Sequence, residues 1–192
     1  MGSYYGALGA HQLLWSLCRD TKDSLAARLA LVPLVQEARG LDAGPRFIDQ
    51  LLGKGDVVSA AVLGMIVREE ERHVSSGLKW FGHLCGTSDE SEQAHEFRRL
   101  VRKHVPRGLF PPFNVVARER CGLREHWYLP LVPDDIDASK SRNSDLDAHA
   151  RLASALQSAD SETKRLAAQY TDLETAAQRH ESLHLVLSRL LD

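Results

Sequence analysis

The sequence predicts an all-α protein. Apolar residues recur at intervals of three and four along several long segments, and no stretch of useful length alternates apolar with polar residues as a half-buried strand would. The 192 residues are 43% hydrophobic, 26% charged and 6% aromatic, which is typical of a folded globular domain. The formal net charge of -2 gives no overall attraction to nucleic acid or anionic lipid.

The first long helix is expected over residues 22–39, after a short helical turn in residues 10–17. Asp20 or Thr21 would cap its start, because both side chains can accept a hydrogen bond from the first turn. Gly40 would end it, since glycine is common just beyond a helix C-terminus.

The segment around this predicted end contains further helix breakers. Pro33 lies inside the helix and should bend it, because proline removes a backbone hydrogen bond. Residues 40–45 (GLDAGP) predict a loop, since they combine glycine, aspartate and proline. A further helical piece is expected over residues 46–52.

Two more helices have clear start and stop signals. The longer covers residues 56–85, with Asp56 as its N-cap and Gly86 after its end. The shorter covers residues 91–105 and stops at Pro106, which cannot continue a helix.

The composition changes at Asp134, which predicts two units joined by a linker. Residues 1–133 form the first unit, residues 134–144 the linker, and residues 145–192 a C-terminal coiled-coil-like helical extension. The extension carries residues at coiled-coil spacing, which predicts a coiled coil or a helix hairpin, although alanine, threonine and histidine weaken the seam. A solvated helix that packs only partly is the alternative.

The run Arg68–Val74 (REEERHV) places three carboxylates and an imidazole in a helix that otherwise has a wide apolar face. At about 100° per residue, Glu70 falls near the middle of the apolar stripe and His73 beside it. Glu37 projects from the preceding helix on a side shared with small and apolar residues. Because an ionised buried carboxylate is costly unless paired or coordinated, these groups require partners.

A glutamate on one helix facing Glu-x-x-His on the next is half of a carboxylate-bridged di-metal site. The spacing brings a carboxylate oxygen and an imidazole nitrogen to one ion. Glu37, Glu70 and His73 are therefore candidate metal ligands. A simpler interpretation is a salt bridge within the helix, from Glu69 to Arg72 or to His73.

Three runs of sequence carry a resemblance to a known family: residues 25–45 with EARGLD, residues 55–85 with ExxHVxxGxxWF, and residues 110–131 with PPFNxxAR. Together they resemble a ferritin-like family catalogued as a domain of unknown function, which is similar in fold to the bacterial tRNA-modifying di-iron hydroxylase. The resemblance implies a four-helix bundle. It also implies a non-haem di-iron centre of the oxidase or hydroxylase type, with Glu37, Glu70 and His73 as iron ligands. The resemblance identifies neither the catalytic residues nor the substrate.

The resemblance also implies that half of the bundle, with three of the six ligands, lies upstream of the segment matched by Tyr4–Trp15. A ferritin-like half bundle is therefore expected here. A homodimer would restore the ligand set, because a twofold axis places each chain's ligands opposite those of the other. The alternative is a metal-free helical interaction module that acts through the C-terminal coiled coil.

Other patterns are weaker. His180, Glu181 and His184 match the zinc-protease pattern HExxH, but no His or Glu follows as a third ligand. The basic run of residues 98–107 could contact phosphates, although a solvated face is the simpler interpretation, so nucleic acid is not the expected partner and RNA stays an open alternative. Scattered cysteines and the absence of an apolar span predict a cytoplasmic protein without membrane insertion.

Overall fold

The computed structural model describes residues 12–137 and 145–169, together with residues 4, 7 and 9. Across these ranges the chain is helical and contains no strand, which confirms the all-α prediction. The helices are α1 (Leu13–Asp20), α2 (Leu25–Leu31), a π-helical turn (Val32–Glu37), α3 (Ala38–Gly53), α4 (Val57–Cys85), α5 (Glu90–His104), α6 (Val115–Arg120), α7 (Glu125–Tyr128), a 3-10 turn (Leu129–Leu131) and α8 (Asp145–Ser158).

The first long helix begins and ends later than predicted. Ser24 is its N-cap, accepting a hydrogen bond from the backbone N–H of Ala27 at 3.2 Å. The predicted end at Gly40 and the predicted loop over residues 40–45 are wrong, because α2, the π-helical turn and α3 run on continuously to Gly53. Pro33 falls within the π-helical turn, where the wider backbone spiral accommodates the missing N–H.

Glycines in this helical run and in α4 allow the two to pack closely against each other. A Cβ atom on Gly44 would lie 2.2 Å from Cγ2 of Val67, and one on Gly77 would lie 2.5 Å from the ring of Pro33. These pairs run in opposite directions along the two helices, so the helices are antiparallel. Gly40 and Gly44 therefore mark a helix–helix contact rather than a helix end.

Helix α4 matches the prediction closely. The Asp56 side chain caps its start by accepting a hydrogen bond from the N–H of Ser59 at 3.0 Å. Its end is Gly86, whose φ of 66° lies in the left-handed region that glycine adopts without a steric penalty. Helix α5 follows. Asp89 is its N-cap, and the Asp89 side chain accepts a hydrogen bond from the N–H of Ser91.

The core lies between α2, α4, α5 and the short C-terminal turns of the first unit. Its aromatic centre consists of Phe81, Phe97 and Trp127, whose ring centroids lie 5.6 to 6.3 Å apart. All three side chains are buried. Burying large aromatic surfaces of this kind contributes a large share of the favourable free energy of folding.

Three arginines of α5 are partnered within the chain. Arg98 donates a hydrogen bond to the carbonyl of His126, and Arg102 donates one to the carbonyl of Pro130 at 3.2 Å. Arg99 pairs with Glu96 at 2.6 Å. The bonds of Arg98 and Arg102 tie α5 to the segment that follows α6.

No helix in residues 12–137 or 145–169 combines the length and the apolar character that a membrane crossing requires.

Helix α8 packs against α3 and α4. Leu152 is buried beside Ile48 and Ala60, and Arg151 forms a two-point ion pair with Asp49 at 2.7 and 2.9 Å. The boundary predicted at residue 133 stays a prediction, but this first helix of the extension lies on the helices that precede it.

The described part of the extension is two helices rather than one. Helix α8 ends at Ser158, and a second helical segment covers residues 161–169. Asp160 caps that segment by accepting a hydrogen bond from the N–H of Thr163 at 2.7 Å. A helix cap therefore interrupts the extension at this point, so a single continuous helix does not form here, and the helix hairpin stays a prediction. The remainder of the predicted coiled coil, residues 170–192, lies outside the described residues.

Candidate metal centre

The three successive glutamates of α4 have three different partners. Glu69 pairs with Arg72 one turn along the same helix, at 3.6 Å. Glu71 pairs with Arg120 of α6. Glu70 points towards the helical run formed by α2, the π-helical turn and α3. The salt bridge predicted from Glu69 to Arg72 thus exists, and it leaves Glu70 available for a different role.

The structure brings Glu37, Glu70 and His73 together. One ligand atom from each residue lies within 4.8 Å of the others. Nδ1 of His73 is 3.5 Å from Oε2 of Glu70 and 4.0 Å from Oε2 of Glu37. Two ligands bound to one ion at about 2.0 to 2.2 Å are separated by at most roughly 4.4 Å. Both distances from His73 are within this limit, and the 4.8 Å bound on the whole set lies close to it, so the three residues are near enough to be candidates for sharing one ion.

The backbone around the cluster is suited to this arrangement. Glu37 is the last residue of the π-helical turn, a type of turn found frequently at functional sites. Gly40 lies one helical turn further on, and a Cβ atom there would contact Cγ of Glu70 at 3.4 Å. Gly40 therefore lies directly against the Glu70 side chain, at an ordinary van der Waals distance.

The electrostatics of the cluster favour a bound cation. Burial raises the pKa of Glu37, His73 opposes this shift, and the nearby Glu70 carboxylate raises the pKa further. Oε2 of Glu70 is buried and accepts no hydrogen bond from the described residues, although Nδ1 of His73 is within ion-pair distance. A metal ion would satisfy this orphaned oxygen and would offset the repulsion between the carboxylates. The donor set therefore fits a metal ion.

The apolar face of α4 is wider than the surface that the described helices cover. Val67, Val74 and Phe81 are buried as predicted. In contrast, His73 is 55% exposed and occupies the middle of a stripe that also contains Ile66, Trp80 and Leu84, which are exposed. His73 thus lies inside the apolar stripe as predicted, but this part of the stripe is exposed, because no described residue covers it. We call these four residues the open stripe.

A second polar cluster was missed in the sequence. Arg118 of α6 donates hydrogen bonds from Nε and Nη2 to the two carboxylate oxygens of Asp42, at 2.8 and 2.7 Å. The backbone N–H of Asn114 also donates to Asp42, at 2.8 Å. These residues belong to the runs EARGLD and PPFNxxAR, so the signal was present, but nothing in it showed that the two runs meet. We call Asp42, Asn114 and Arg118 the buried network.

Comparisons with known proteins give the chain a family. The sequence profile of the family described as "Protein of unknown function (DUF455)" matches residues 1–129. The chain belongs to the DUF455 family. The matched segment includes both polar clusters, namely the candidate metal ligands and the buried network.

A relative from Haemophilus influenzae (strain Rd), described as "Uncharacterized protein", is 32% identical over 132 residues. The alignment covers 66% of this chain and 43% of the relative, so the chain spans less than half the length of that relative. No solved structure matches the chain.

Other predicted features have different outcomes. The pattern His180, Glu181 and His184 lies outside the described residues. Cys18, Cys85 and Cys121 are free thiols, in agreement with the absence of a disulfide framework. Burial raises the pKa of the Cys121 thiol to about 11, which makes it a poor nucleophile at neutral pH.

Proposed function

We propose that Glu37, Glu70 and His73 form one half of a non-haem di-iron carboxylate centre in a ferritin-like protein of the oxidase or hydroxylase type. The observation that carries the proposal is the meeting of one glutamate with a Glu-x-x-His pair from the adjacent antiparallel helix, all within 4.8 Å. This is the half-set of ligands that di-iron carboxylate bundles use twice.

The chemistry of the ligands supports iron. Carboxylate oxygens suit hard divalent cations, and imidazole suits iron, copper, nickel and zinc. Two carboxylates with one imidazole are compatible with iron, whereas a structural zinc site would use thiolates or further imidazoles. The described cluster also leaves coordination positions for water, a second ion or a substrate.

Each residue would have a distinct task. Glu37 and Glu70 would bind or bridge the metal through carboxylate oxygens, and His73 would bind through Nδ1, the nitrogen that faces both carboxylates. When bound, iron would supply redox chemistry and oxygen activation, which are properties of the metal rather than of the protein.

A complete centre requires cover for the open stripe. Ile66, His73, Trp80 and Leu84 lie within about 40° of one another around α4, at about 100° per residue. His73, one of the three candidate ligands, thus lies in the middle of the open stripe. We propose that a second copy of the chain packs there, because a twofold axis through the open stripe would place a second half-set opposite the first.

Substitution of the ligands tests the metal assignment. We expect Glu70→Ala and His73→Ala to abolish iron uptake, measured as iron per chain after anaerobic loading with Fe(II) and desalting. Glu69→Gln is the matched control, since Glu69 lies on the same helix but pairs with Arg72, and it should load normally. Equal iron contents in all three variants would refute the assignment.

Substitution in the open stripe tests the dimer. Trp80→Glu introduces a charge into the open stripe two turns from His73. We expect this variant to be a monomer that does not retain iron. Val116→Glu is the control, because Val116 is exposed on α6, outside the open stripe. If the protein never binds iron but captures a specific protein through residues 145–192, the interaction module is the correct function instead.

A further inference from the structure

A pocket lies on the opposite side of the helical run from the metal ligands. Val35, Gln36 and Arg39 line it, whereas Glu37, between them in the chain, faces α4. Its volume is about 220 Å³, and its other walls come from the α5–α6 connection and α6: Val105, Gly108, Leu109, Phe110, Phe113 and Arg118. The pocket is therefore separate from the candidate metal centre.

The walls of the pocket are mostly apolar. Val35, Leu109 and Phe113 are buried, and Phe110 is exposed beside them. Against this apolar surface, the pocket has two guanidinium groups, those of Arg39 and Arg118. Small-molecule sites typically have this composition, with apolar walls and a few fixed polar groups that orient the ligand.

The two guanidinium groups are held rigidly. Arg39 donates from Nη1 to the carbonyls of Phe110 and Pro112, at 2.8 and 3.1 Å. The guanidinium of Arg118 is fixed by its two bonds to Asp42 and stacks on the rings of Phe113 and Tyr128. Because neither group must be ordered when a ligand arrives, binding costs less conformational entropy.

Positive charge is in excess beside the pocket. Arg39 lies 3.4 Å from Asp42, and Arg118 contacts the same carboxylate at 2.7 Å, so two cations share one anion. Nη1 of Arg118 is buried and has no hydrogen-bond partner in residues 12–137 or 145–169. The hydrogen bonds of Arg39 come from Nη1, which leaves Nε and Nη2 as further donors. An anion would balance the charge and accept these hydrogen bonds.

We propose that this pocket binds a small organic carboxylate with an apolar body. A planar carboxylate matches the fork of Arg39, and the apolar walls fit a compact aromatic or branched aliphatic group. The volume limits the ligand to roughly the size of benzoate. This inference is independent of the metal proposal, because it uses none of the three metal ligands.

Titration with benzoate tests the proposal on the full chain. We expect saturable chemical-shift changes in ¹H–¹⁵N NMR spectra, confined to residues around the pocket. Benzyl alcohol has a similar ring but no charge. We expect its affinity to be lower by a factor of about ten or more, because it lacks the charge-assisted hydrogen bonds. Absence of saturation with benzoate, or equal binding of both probes, would overturn the proposal.

Three variants locate the binding. Arg39→Gln should weaken benzoate binding about tenfold or more. Gln36→Glu places a negative charge in the pocket while leaving both arginines in place, and should weaken it similarly. Arg107→Gln, in the adjacent loop, is the control and should bind as the wild type does. Equal weakening by all three variants would mean a non-specific effect of net charge and would refute the site, as would full binding by Gln36→Glu.

Discussion

Asp42 and Glu37 lie little more than one turn apart on the same helical run, yet their carboxylates have opposite surroundings. Asp42 is buried and accepts hydrogen bonds from both Arg118 and Asn114. Glu37 is half-buried beside another carboxylate, with a histidine at 4.0 Å as its ion-pair contact. The buried network contains its own counter-charge, whereas the metal ligands do not. We infer that the buried network stabilises the fold and that the other cluster is suited to a bound ion.

This difference is expected to be largest in the unfolding free energy. Asp42→Ala leaves Arg118 buried and uncompensated, so we expect a loss of about 3 to 5 kcal/mol. The control is Asp49→Ala, which removes a solvent-exposed ion pair with Arg151 and should cost at most about 1 kcal/mol. Urea denaturation measures both. A similar small loss in the two variants would mean that the buried network does not stabilise the fold.

The helix contact next to each cluster gives the next largest effect. Gly44→Ala forces a Cβ atom to within 2.2 Å of Val67 and should cost about 1 to 3 kcal/mol. Gly40→Ala brings its Cβ atom only to ordinary contact with Glu70, at 3.4 Å, and alanine favours the helix by up to about 1 kcal/mol. We therefore expect Gly40→Ala to be neutral or stabilising in urea denaturation. The reverse order would contradict the packing described here.

Removing a charge from the candidate metal ligands should stabilise the metal-free fold, whereas removing the charge of Asp42 should destabilise it. Because the pKa of Glu37 is raised above 4.5, its ionised form destabilises the metal-free fold at pH values above the folded-state pKa. With a chelator present, Glu37→Gln should therefore melt at a higher temperature than the wild type at pH 7.

The same linkage fixes the pH dependence of that difference. It should shrink as the pH falls through the folded-state pKa and vanish below the ordinary value of 4.5, where Glu37 is protonated in both states. Melting temperatures with chelator at pH 7 and at about pH 4 check this. A variant that is less stable than the wild type at pH 7 would show that the carboxylate already has a stabilising partner.

The smallest effect is expected at the edge of the buried network. The Tyr128 hydroxyl is buried and has no hydrogen-bond partner among the residues that the structure describes, so Tyr128→Phe should change stability by about 1 kcal/mol or less. Burial raises the pKa of Tyr128 to about 12 from 10.0. The wild type should therefore lose stability as the pH rises from about 10 to about 12, and the variant should lose less.

Urea denaturation of both proteins at pH 7 and at about pH 11 measures these changes. A large loss in Tyr128→Phe at pH 7 would mean that the hydroxyl has a partner and that the network extends further.

The sequence predicted local features well because they depend on neighbouring residues. Asp56 and Gly86 bracket α4 as expected, since capping and a left-handed glycine are local signals. Gly40 misled the prediction because glycine both ends helices and lets helices approach, and sequence spacing does not distinguish the two uses. In the structure, Gly40 lies inside a helix and faces Glu70 of α4.

The candidate site was predictable only in part. Glu37, Glu70 and His73 were selected by helical spacing and by a family resemblance, and the structure brings them together. The bond between Asp42 and Arg118 joins residues far apart in the chain, and no periodicity predicts such a pair. The exposure of His73 was also missed, because a helical wheel shows which residues share a face but not what covers that face.

Iron content combined with molecular mass tests the central claim most directly. The chain is loaded with Fe(II) without oxygen, freed of excess metal, and analysed by sedimentation together with iron determination. We predict a homodimer that holds about one iron per chain, two for each completed centre, and that releases the iron when Trp80→Glu splits the dimer. A stable monomer without iron under saturating Fe(II), or iron retained by the combined Glu70→Ala and His73→Ala variant, would contradict the account.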